Sequence, residues 1–276
     1  MSLPAATLDG TAVSTDGVQI RYAVTGAGEP TLVFVHCWTG DRGFWDAQVA
    51  RFAPAHRVVT LDLAGHGESG RNRRAWAIAA FADDVRAVIE RLDLARVILI
   101  GHSMGGPVIL EAARGLPGRV VGLIPVDTLR NVEQPWPPAQ MDAVLAGFRG
   151  DFAGSASRFM RERLFAPSTD SRLVERLVAR AAAASPAMAI AAIESTWRYD
   201  SAAASREVRV PIVAINTDLQ PTDVAANRRH APQFEAAIMK GVGHYPMLEA
   251  PERFNEYLAD AVARVMARSE PLVGRQ

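Results

Sequence analysis

The 276-residue sequence has little of several features that mark other protein classes. It contains one cysteine, Cys37, so an intrachain disulfide and a cysteine-rich metal site are excluded. Its 30 basic and 30 acidic side chains cancel, whereas a nucleic-acid-binding surface usually needs a basic excess. We therefore expect no nucleic-acid partner, and we expect the basic run Arg71, Arg73 and Arg74 to be a solvated loop.

Long hydrophobic runs are also missing. No apolar stretch approaches the roughly 18 residues that a membrane span needs. Residues 1–10 lack the basic and apolar segments of a signal peptide. The sequence thus predicts a soluble, cytoplasmic protein that does not associate with membranes, long enough to bury a large core.

The most informative stretch covers residues 97–106. The apolar residues 97–100 predict a buried parallel strand, and the apolar run after Gly106 predicts a helix. Between them, residues 101–105 read Gly-His-Ser-Met-Gly, the Gly-x-Ser-x-Gly pattern of a nucleophile elbow. Such a turn exposes the serine hydroxyl beside a helix N-terminus, which favours developing negative charge. Ser103 is therefore the candidate nucleophile.

Strand and helix signals alternate along much of the chain, which predicts a parallel sheet with right-handed crossovers. A turn signal at Asp16-Gly17 predicts an antiparallel hairpin at one edge. Phe81–Leu92 has the spacing of an amphipathic helix. Strands are predicted over residues 31–35, 57–63, 97–100, 120–126, 210–215 and 236–240.

Residues 131–205 interrupt this alternation, because they contain helical stretches and no strand signal. Residues 1–130 and 206–276 form the expected α/β core, and residues 131–205 form the expected helical cap. The cap enters directly after the strand that leads to Asp127. We expect it to be a lid over the carboxyl edge of the sheet, where ligands bind in such folds.

Four motifs in this order resemble the α/β-hydrolase superfamily, within it the cap-bearing esterases, C–C hydrolases, epoxide hydrolases and haloalkane dehalogenases. The motifs are His36-Cys37-Trp38, residues 62–69, residues 101–105 and residues 241–246. The resemblance covers nearly the whole chain. It implies the α/β-hydrolase fold: a mostly parallel sheet flanked by helices, with a helical cap inserted after the strand ending near Asp127. It also implies the order nucleophile, acid, histidine.

A serine hydroxyl needs a base to remove its proton. Six histidines are available, and His244 follows a predicted strand across a Gly-x-Gly loop. That place matches the catalytic histidine of the superfamily. His36 and His66 lie in turns where the superfamily has structural histidines.

The acid that orients the histidine is less clear. In most of the superfamily it follows the strand predicted over residues 210–215, but Gln220 stands at that position and carries no charge. The end of the preceding strand is a second known location, and Asp127 occupies it. We favour Asp127, with Asp218 and Asp223 as alternatives.

The resemblance assigns the oxyanion hole to the backbone amides of Trp38 and Met104. Cys37 stands where the superfamily usually has glycine, and we expect it to be a small buried hydrophobe. No metal-ligand cluster or phosphate-binding loop occurs, so neither a metal nor a cofactor is expected. The candidates for an apolar substrate pocket under the cap are Trp136, Phe148, Phe159 and Trp197.

Serine at the elbow favours acyl transfer, because the epoxide hydrolases and haloalkane dehalogenases of this fold use aspartate there. The sequence therefore predicts a serine hydrolase that attacks a carboxylic ester, thioester or lactone through an acyl-enzyme. Its partner would be a small apolar or moderately polar acyl substrate. The alternatives are a C–C bond hydrolase, a cofactor-free perhydrolase, and a non-catalytic ligand-binding protein of the same fold. The sequence predicts no oligomeric state.

Overall fold

The computed structural model describes residues 6–269. Residues 1–5 and 270–276 lie outside the described residues. They include both ends of the expected α/β core and part of the N-terminal stretch that we expect to lack a signal peptide. The strands are β1 (Thr7–Val13), β2 (Gln19–Thr25), β3 (Thr31–Val35), β4 (Val58–Leu61), β5 (Val97–His102), β6 (Val120–Val126), β7 (Ile212–Thr217) and β8 (Phe234–Met239). The helices are α1 (Asp46–Phe52), α2 (Ile78–Arg91), α3 (Gly105–Arg114), α4 (Pro138–Gly150), α5 (Phe152–Arg163), α6 (Ser171–Ala182), α7 (Pro186–Arg198), α8 (Ser201–Glu207), α9 (Val224–His230), α10 (Pro246–Glu249) and α11 (Pro251–Ser269).

The strands form one sheet in the order β1-β2-β4-β3-β5-β6-β7-β8. β2 is antiparallel to β1 and β4, and the pairs from β4 to β8 are parallel. The predicted edge hairpin is confirmed, and Gly17 adopts φ +83° in its turn, a conformation that suits glycine. The nucleophile candidate therefore follows a central strand, β5.

Helices cover both faces of the sheet, which explains why its central strands are mostly apolar. All residues of β3 and β5 are buried. α2, α3 and α8 pack on one face, and α1 and α11 pack on the other. The predicted amphipathic helix corresponds to α2, whose buried side includes Phe81, Val85 and Val88. The ends of the strands remain as the place where polar side chains can gather.

The position of β7 differs from the prediction, and the difference bears on the site. The sequence predicts a strand over residues 210–215, whereas β7 begins after Pro211, which has no N–H to donate. Thr217 therefore ends β7 next to the end of β6, where the Asp127 N–H donates to the Ile215 carbonyl at 2.9 Å. The apolar pattern also missed α9, a helix of 7 residues.

The helices α4–α7 form an insertion between β6 and α8, in the range that lacks strand signals. The insertion contacts loops that follow two strands: Trp38 Nε1 donates to the Ala189 carbonyl, and the His244 N–H donates to the Leu164 carbonyl, both at 2.8 Å. α8 begins within the expected cap range but packs against α3 and α9. No single helix in the described chain is long and apolar enough to span a membrane. α6 and α7 reach that threshold only together, as a pair bent by 105°.

Arg73 contradicts the expectation of a solvated basic loop. Its side chain is 1% exposed and donates to Asp84 Oδ1 at 2.6 Å and to Asp16 Oδ2 at 2.7 Å. Asp84 Oδ2 also accepts the Ala64 N–H at 3.0 Å. The prediction was wrong for Arg73 because its partners lie on other elements, α2 and the β1–β2 turn.

Candidate active site

Ser103 lies at a strained turn between β5 and α3. Its φ is +53°, a conformation that non-glycine residues seldom adopt and that often marks functional sites. The Ser103 N–H donates to the Val126 carbonyl at 2.9 Å, which ties the turn to the end of β6. A Cβ at Gly101 would collide with the Gly105 carbonyl oxygen, so this close approach requires glycine. The turn leaves Ser103 partly exposed while its neighbours are buried.

Asp127 and His244 form a buried pair across 117 positions of sequence. The Asp127 Oδ2 accepts a hydrogen bond from His244 Nδ1 at 2.5 Å. The Asp127 Oδ1 accepts two more, from the backbone N–H and the hydroxyl of Thr217, each at 2.9 Å. Because Nδ1 carries the proton in this pair, Nε2 of His244 is left as the free acceptor of the ring.

The other two carboxylates that the sequence left open have different partners. Asp218 Oδ1 accepts the Gly241 N–H at 2.8 Å, and Asp223 Oδ1 caps α9 by accepting the Ala226 N–H at 2.9 Å. Gln220 is exposed. Within residues 6–269, Asp127 is the carboxylate that hydrogen-bonds to the imidazole of His244.

The charge of Asp127 follows from its partners. Burial alone would raise its pKa, but the hydrogen bond from His244 and the charges of His244 and Arg130 outweigh burial. The pKa of Asp127 is consequently held below its ordinary value. This carboxylate is ionised at neutral pH, as a group that supports an imidazolium must be.

His102 links the serine turn to the histidine loop. Its Nε2 donates to the His244 carbonyl at 2.7 Å, and the two rings lie 4.7 Å apart. Burial lowers the pKa of His102 well below its ordinary value, so its ring is neutral. This bond, the one from Ser103 N–H to Val126 and the Asp127–His244 bond tie together the turns that carry Ser103, Asp127 and His244, at the carboxyl ends of β5, β6 and β8.

Glu249 is a residue that the sequence reasoning missed. Its Oε2 accepts the Gly243 N–H at 2.8 Å and its Oε1 accepts the Tyr245 N–H at 3.1 Å, so one carboxylate holds the backbone on both sides of His244. Its Oε2 also accepts the Thr169 hydroxyl of the insertion at 2.7 Å. The signal that could have found it is an acidic side chain five positions after the histidine, but that spacing alone predicts no contact.

The two backbone N–H groups predicted for the oxyanion hole are those of Trp38 and Met104, and both lie in turns that follow strands. Met104 precedes the first residue of α3, and Trp38 follows β3 in the adjacent turn. Among the described residues, neither backbone N–H has a hydrogen-bond acceptor. His36 braces the Trp38 turn, because its Nδ1 donates to the Cys37 carbonyl at 2.8 Å and its Nε2 accepts the Leu63 N–H at 3.0 Å.

The remaining sequence candidates near this turn are inert. Burial lowers the pKa of His36 to about 4 and that of His66 to about 3, so both rings are neutral. Burial raises the pKa of the Cys37 thiol to about 12, which leaves it unreactive at neutral pH. Within the described part of the chain, no group of three His, Cys, Asp or Glu side chains could hold a metal ion.

The four aromatic residues expected in a substrate pocket form one cluster with Trp38, which Phe148 and Phe159 contact directly. Trp38 stacks on Phe148 with ring centres 5.8 Å apart, and Trp136 stacks on Trp197 at 4.5 Å. Phe159 connects the two pairs, at 6.4 Å from Trp38 and 5.9 Å from Trp197. Phe148 is fully buried, whereas Trp136, Phe159 and Trp197 are partly exposed. This aromatic cluster therefore joins the insertion to the turn that carries Trp38.

A serine on a strand–helix turn, next to a buried aspartate–histidine pair and two unpaired amides, is typical of enzymes that attack carbonyl carbons. The sequence profile of the "Alpha/beta hydrolase family" matches residues 32–257. The chain therefore belongs to this family, and the α/β-hydrolase fold expected from the resemblance is confirmed.

Relatives of known sequence include the pimeloyl-[acyl-carrier protein] methyl ester esterase of Yersinia enterocolitica, 26% identical over 255 residues that cover 88% of this chain and 96% of that protein. The dihydrolipoyllysine-residue acetyltransferase component of the acetoin cleaving system of Cupriavidus necator is 33% identical over 143 residues, or 52% of this chain. The match covers 36% of that acetyltransferase component, so the chain corresponds to a minor part of its length.

Among solved structures, a thermophilic esterase from Thermogutta terrifontis is similar with a TM-score of 0.79 and 27% identity, covering 95% of this chain and 99% of that one. The two proteins therefore share their architecture over nearly their whole lengths. Together with the family match, the esterase relatives support a hydrolase that acts on ester bonds.

Proposed function

We propose that the protein is a serine hydrolase that cleaves carboxylic esters, thioesters or lactones through an acyl-enzyme. Ser103 Oγ attacks the carbonyl carbon while His244 Nε2 takes the hydroxyl proton. The backbone N–H groups of Trp38 and Met104 stabilise the tetrahedral oxyanion. His244 then gives its proton to the leaving alcohol or thiol, and the acyl group stays on Ser103.

Water completes the reaction. His244 Nε2 removes a proton from a water molecule, whose oxygen attacks the acyl carbon, and Ser103 leaves with the proton from His244. Asp127 remains ionised throughout and stabilises the imidazolium. The observation that carries this proposal is the 2.5 Å hydrogen bond between Asp127 and His244 beside the strained Ser103 turn. The strained backbone of Ser103, with φ +53°, is expected of a nucleophile, and an aspartate–histidine pair alone would not account for it.

The substrate class rests on the aromatic cluster and on the insertion. Because the partly exposed ring of Phe159 packs against Trp38, whose backbone would supply an oxyanion amide, an acyl chain on Ser103 would meet apolar surface there. The insertion would serve as the cap, since it contacts the loops that carry Trp38 and His244. We therefore favour an ester with a small to medium apolar acyl group; the relative named as a methyl ester esterase supports ester cleavage, not this choice of acyl group.

The test uses p-nitrophenyl esters of increasing acyl length, a lactone, a β-diketone and a fluorophosphonate label. We expect ester turnover, and labelling of Ser103 identified by peptide mass spectrometry. Ser103→Ala should abolish both, while the matched variant Ser168→Ala, in the loop before α6, should keep both. Cleavage of the diketone without ester turnover would instead indicate a C–C hydrolase. Absence of both turnover and label in folded protein would favour the ligand-binding alternative.

A further inference from the structure

Arg130 contacts the same carboxylate oxygen that holds His244. Its Nη2 donates to Asp127 Oδ2 at 2.5 Å, and His244 Nδ1 reaches that oxygen at the same distance. The side chain of Arg130 is 18% exposed, and that of Asp127 is completely buried. With the two bonds from Thr217, Asp127 accepts four hydrogen bonds, and one of them comes from a permanent cation.

The position of Arg130 is fixed by buried contacts of its backbone. Asn227 donates from Nδ2 to the Leu129 carbonyl at 2.6 Å and accepts the Val132 N–H at 2.9 Å. The Arg130 carbonyl accepts the Asp223 N–H at 2.8 Å. Since Asn227 is buried, the loop that carries Arg130 is part of the packed structure and not a free surface loop. The contact with Asp127 is therefore built into the fold.

A cation at this place changes the energy of the protonated histidine. The negative charge of Asp127 favours the imidazolium that forms when His244 accepts a proton, and the positive charge of Arg130 opposes it. Besides Glu249, whose carboxylate holds the backbone on both sides of His244, the titratable groups that face the pair are His102 and Tyr245. Both are neutral, because burial lowers the pKa of His102 and raises that of Tyr245. Arg130 is therefore the fixed positive charge that contacts this pair among the described residues.

We propose that Arg130 is a positioning residue that acts through Asp127 and extends the pH range of His244 as a base toward acid. The proposal rests on the function proposed above, since it concerns the same serine, histidine and aspartate. Arg130 keeps the Asp127 oxygen in place and reduces the tendency of His244 to hold a proton. Without Arg130, no fixed positive charge at Asp127 would oppose the imidazolium, and the acidic limb of the rate profile should lie at higher pH.

The first experiment compares kcat/KM for p-nitrophenyl acetate between pH 4 and 9 in the wild type, Arg130→Met and Arg130→Lys. In R130M the acidic limb should move to higher pH by roughly 1 unit, the lower end of the range for a nearby charge. R130K keeps the charge and should restore the wild-type limb. The matched control is Arg149→Met, because Arg149 is 56% exposed and pairs with Glu194 within the insertion. It should leave the profile unchanged.

A second readout does not depend on the substrate. In an NMR titration of the histidine rings, with the His244 signal assigned by a His244→Gln variant, R130M should titrate at higher pH than the wild type. A loss of activity in R130M that is equal at every pH, with both titrations unmoved, would reduce Arg130 to a structural role and overturn the proposal. A shift toward lower pH would also overturn it. If no ester is turned over but the NMR shift is present, the proposed function fails and the role of Arg130 stands.

Discussion

Two buried arginine–aspartate pairs lie at different places in this molecule. In the core pair, Arg73 donates to both oxygens of Asp84, at 2.6 and 3.0 Å, and also reaches Asp16. In the site pair, Arg130 donates to one oxygen of Asp127, and His244 shares that oxygen. The same two side-chain types thus form a two-oxygen ion pair in the core, and at the site an ion pair on one oxygen that a histidine shares.

The electrostatic balance also differs between the pairs. Burial raises the pKa of Asp84, with the hydrogen bonds from Arg73 opposing the rise. Burial also acts on Asp127, but there the partners outweigh it and the pKa falls. The core pair connects α2 to the β1–β2 turn and to the loop at Ala64. An aspartate whose two oxygens both bind arginine is therefore suited to stabilising the fold. An aspartate oxygen shared by arginine and histidine lets the arginine charge act on the histidine.

The largest expected difference between the pairs is in catalysis. Asp127→Asn should lower kcat/KM for p-nitrophenyl acetate by about 10⁴-fold, because asparagine cannot hold the histidine tautomer or stabilise the imidazolium. Asp84→Asn should keep kcat/KM within a few-fold of the wild type per folded molecule, as Asp84 contacts no group of the site. Circular dichroism gives the folded fraction. If Asp127→Asn were near wild type and Asp218→Asn inactive, the acid would be Asp218.

The next difference is in stability, and it has the opposite order. Arg73→Met leaves Asp84 charged in the core and should lower the free energy of unfolding by about 3–5 kcal/mol. Arg130→Met leaves Asp127 with its bonds from Thr217 and His244, and should cost about 1.5–3 kcal/mol. Urea unfolding at pH 7 measures both. A larger loss in R130M than in R73M would show that the site pair also braces the fold.

The contrast explains which parts of the site the sequence could predict. Ser103 and His244 lie in short local motifs whose glycines indicate tight turns. The order of strands and helices along the chain follows from the alternating apolar patterns. Asp127 was predicted by position, but its contact with His244 spans 117 positions and appears only in the folded sheet. Arg130 and Glu249 carry no motif, because their roles depend on which backbone or side chain the fold places beside them.

The same reason accounts for the errors. Arg73 was expected in solvent because three arginines in four positions indicate a polar loop. No local sequence pattern indicates that Arg73 pairs with Asp84. Thr217 was missed because its hydroxyl reaches Asp127 only when β7 extends two residues beyond its predicted end. Register and long-range pairing are set by packing and not by composition.

A smaller effect should separate the polar neighbours of the two pairs. Thr217→Val removes the hydroxyl bond to Asp127 but keeps the backbone N–H bond and the shape of the side chain. The loss of one hydrogen bond to a charged group should lower kcat/KM by about 10-fold, or about 1.4 kcal/mol. Ser14→Ala is the matched control, since Ser14 Oγ accepts from Arg73 at 3.3 Å. It should leave kcat/KM unchanged, and an equal loss in both variants would contradict the distinction.

The smallest expected effect is on how the stability of the protein changes as the pH falls. The folded pKa of Asp127 is lowered, so its ionised form stabilises the protein above the unfolded value of about 3.9, and that contribution is lost as the pH falls through the folded pKa. The folded pKa of Asp84 is raised, so its ionisation opposes folding as the pH rises through the same region. The two aspartates should therefore give pH dependences of opposite sign.

Urea unfolding of Asp127→Asn and Asp84→Asn between pH 7 and pH 3.5 tests the signs. Relative to the wild type, the loss of stability in Asp127→Asn should shrink toward acid, because the wild type loses its own ionic contribution there. The loss in Asp84→Asn should grow toward acid, because protonation relieves the burial of that carboxylate in the wild type but changes nothing in the variant. Losses that move in the same direction would mean that the partners of Asp84 also outweigh burial, and that the two pairs differ in catalysis but not in electrostatic balance.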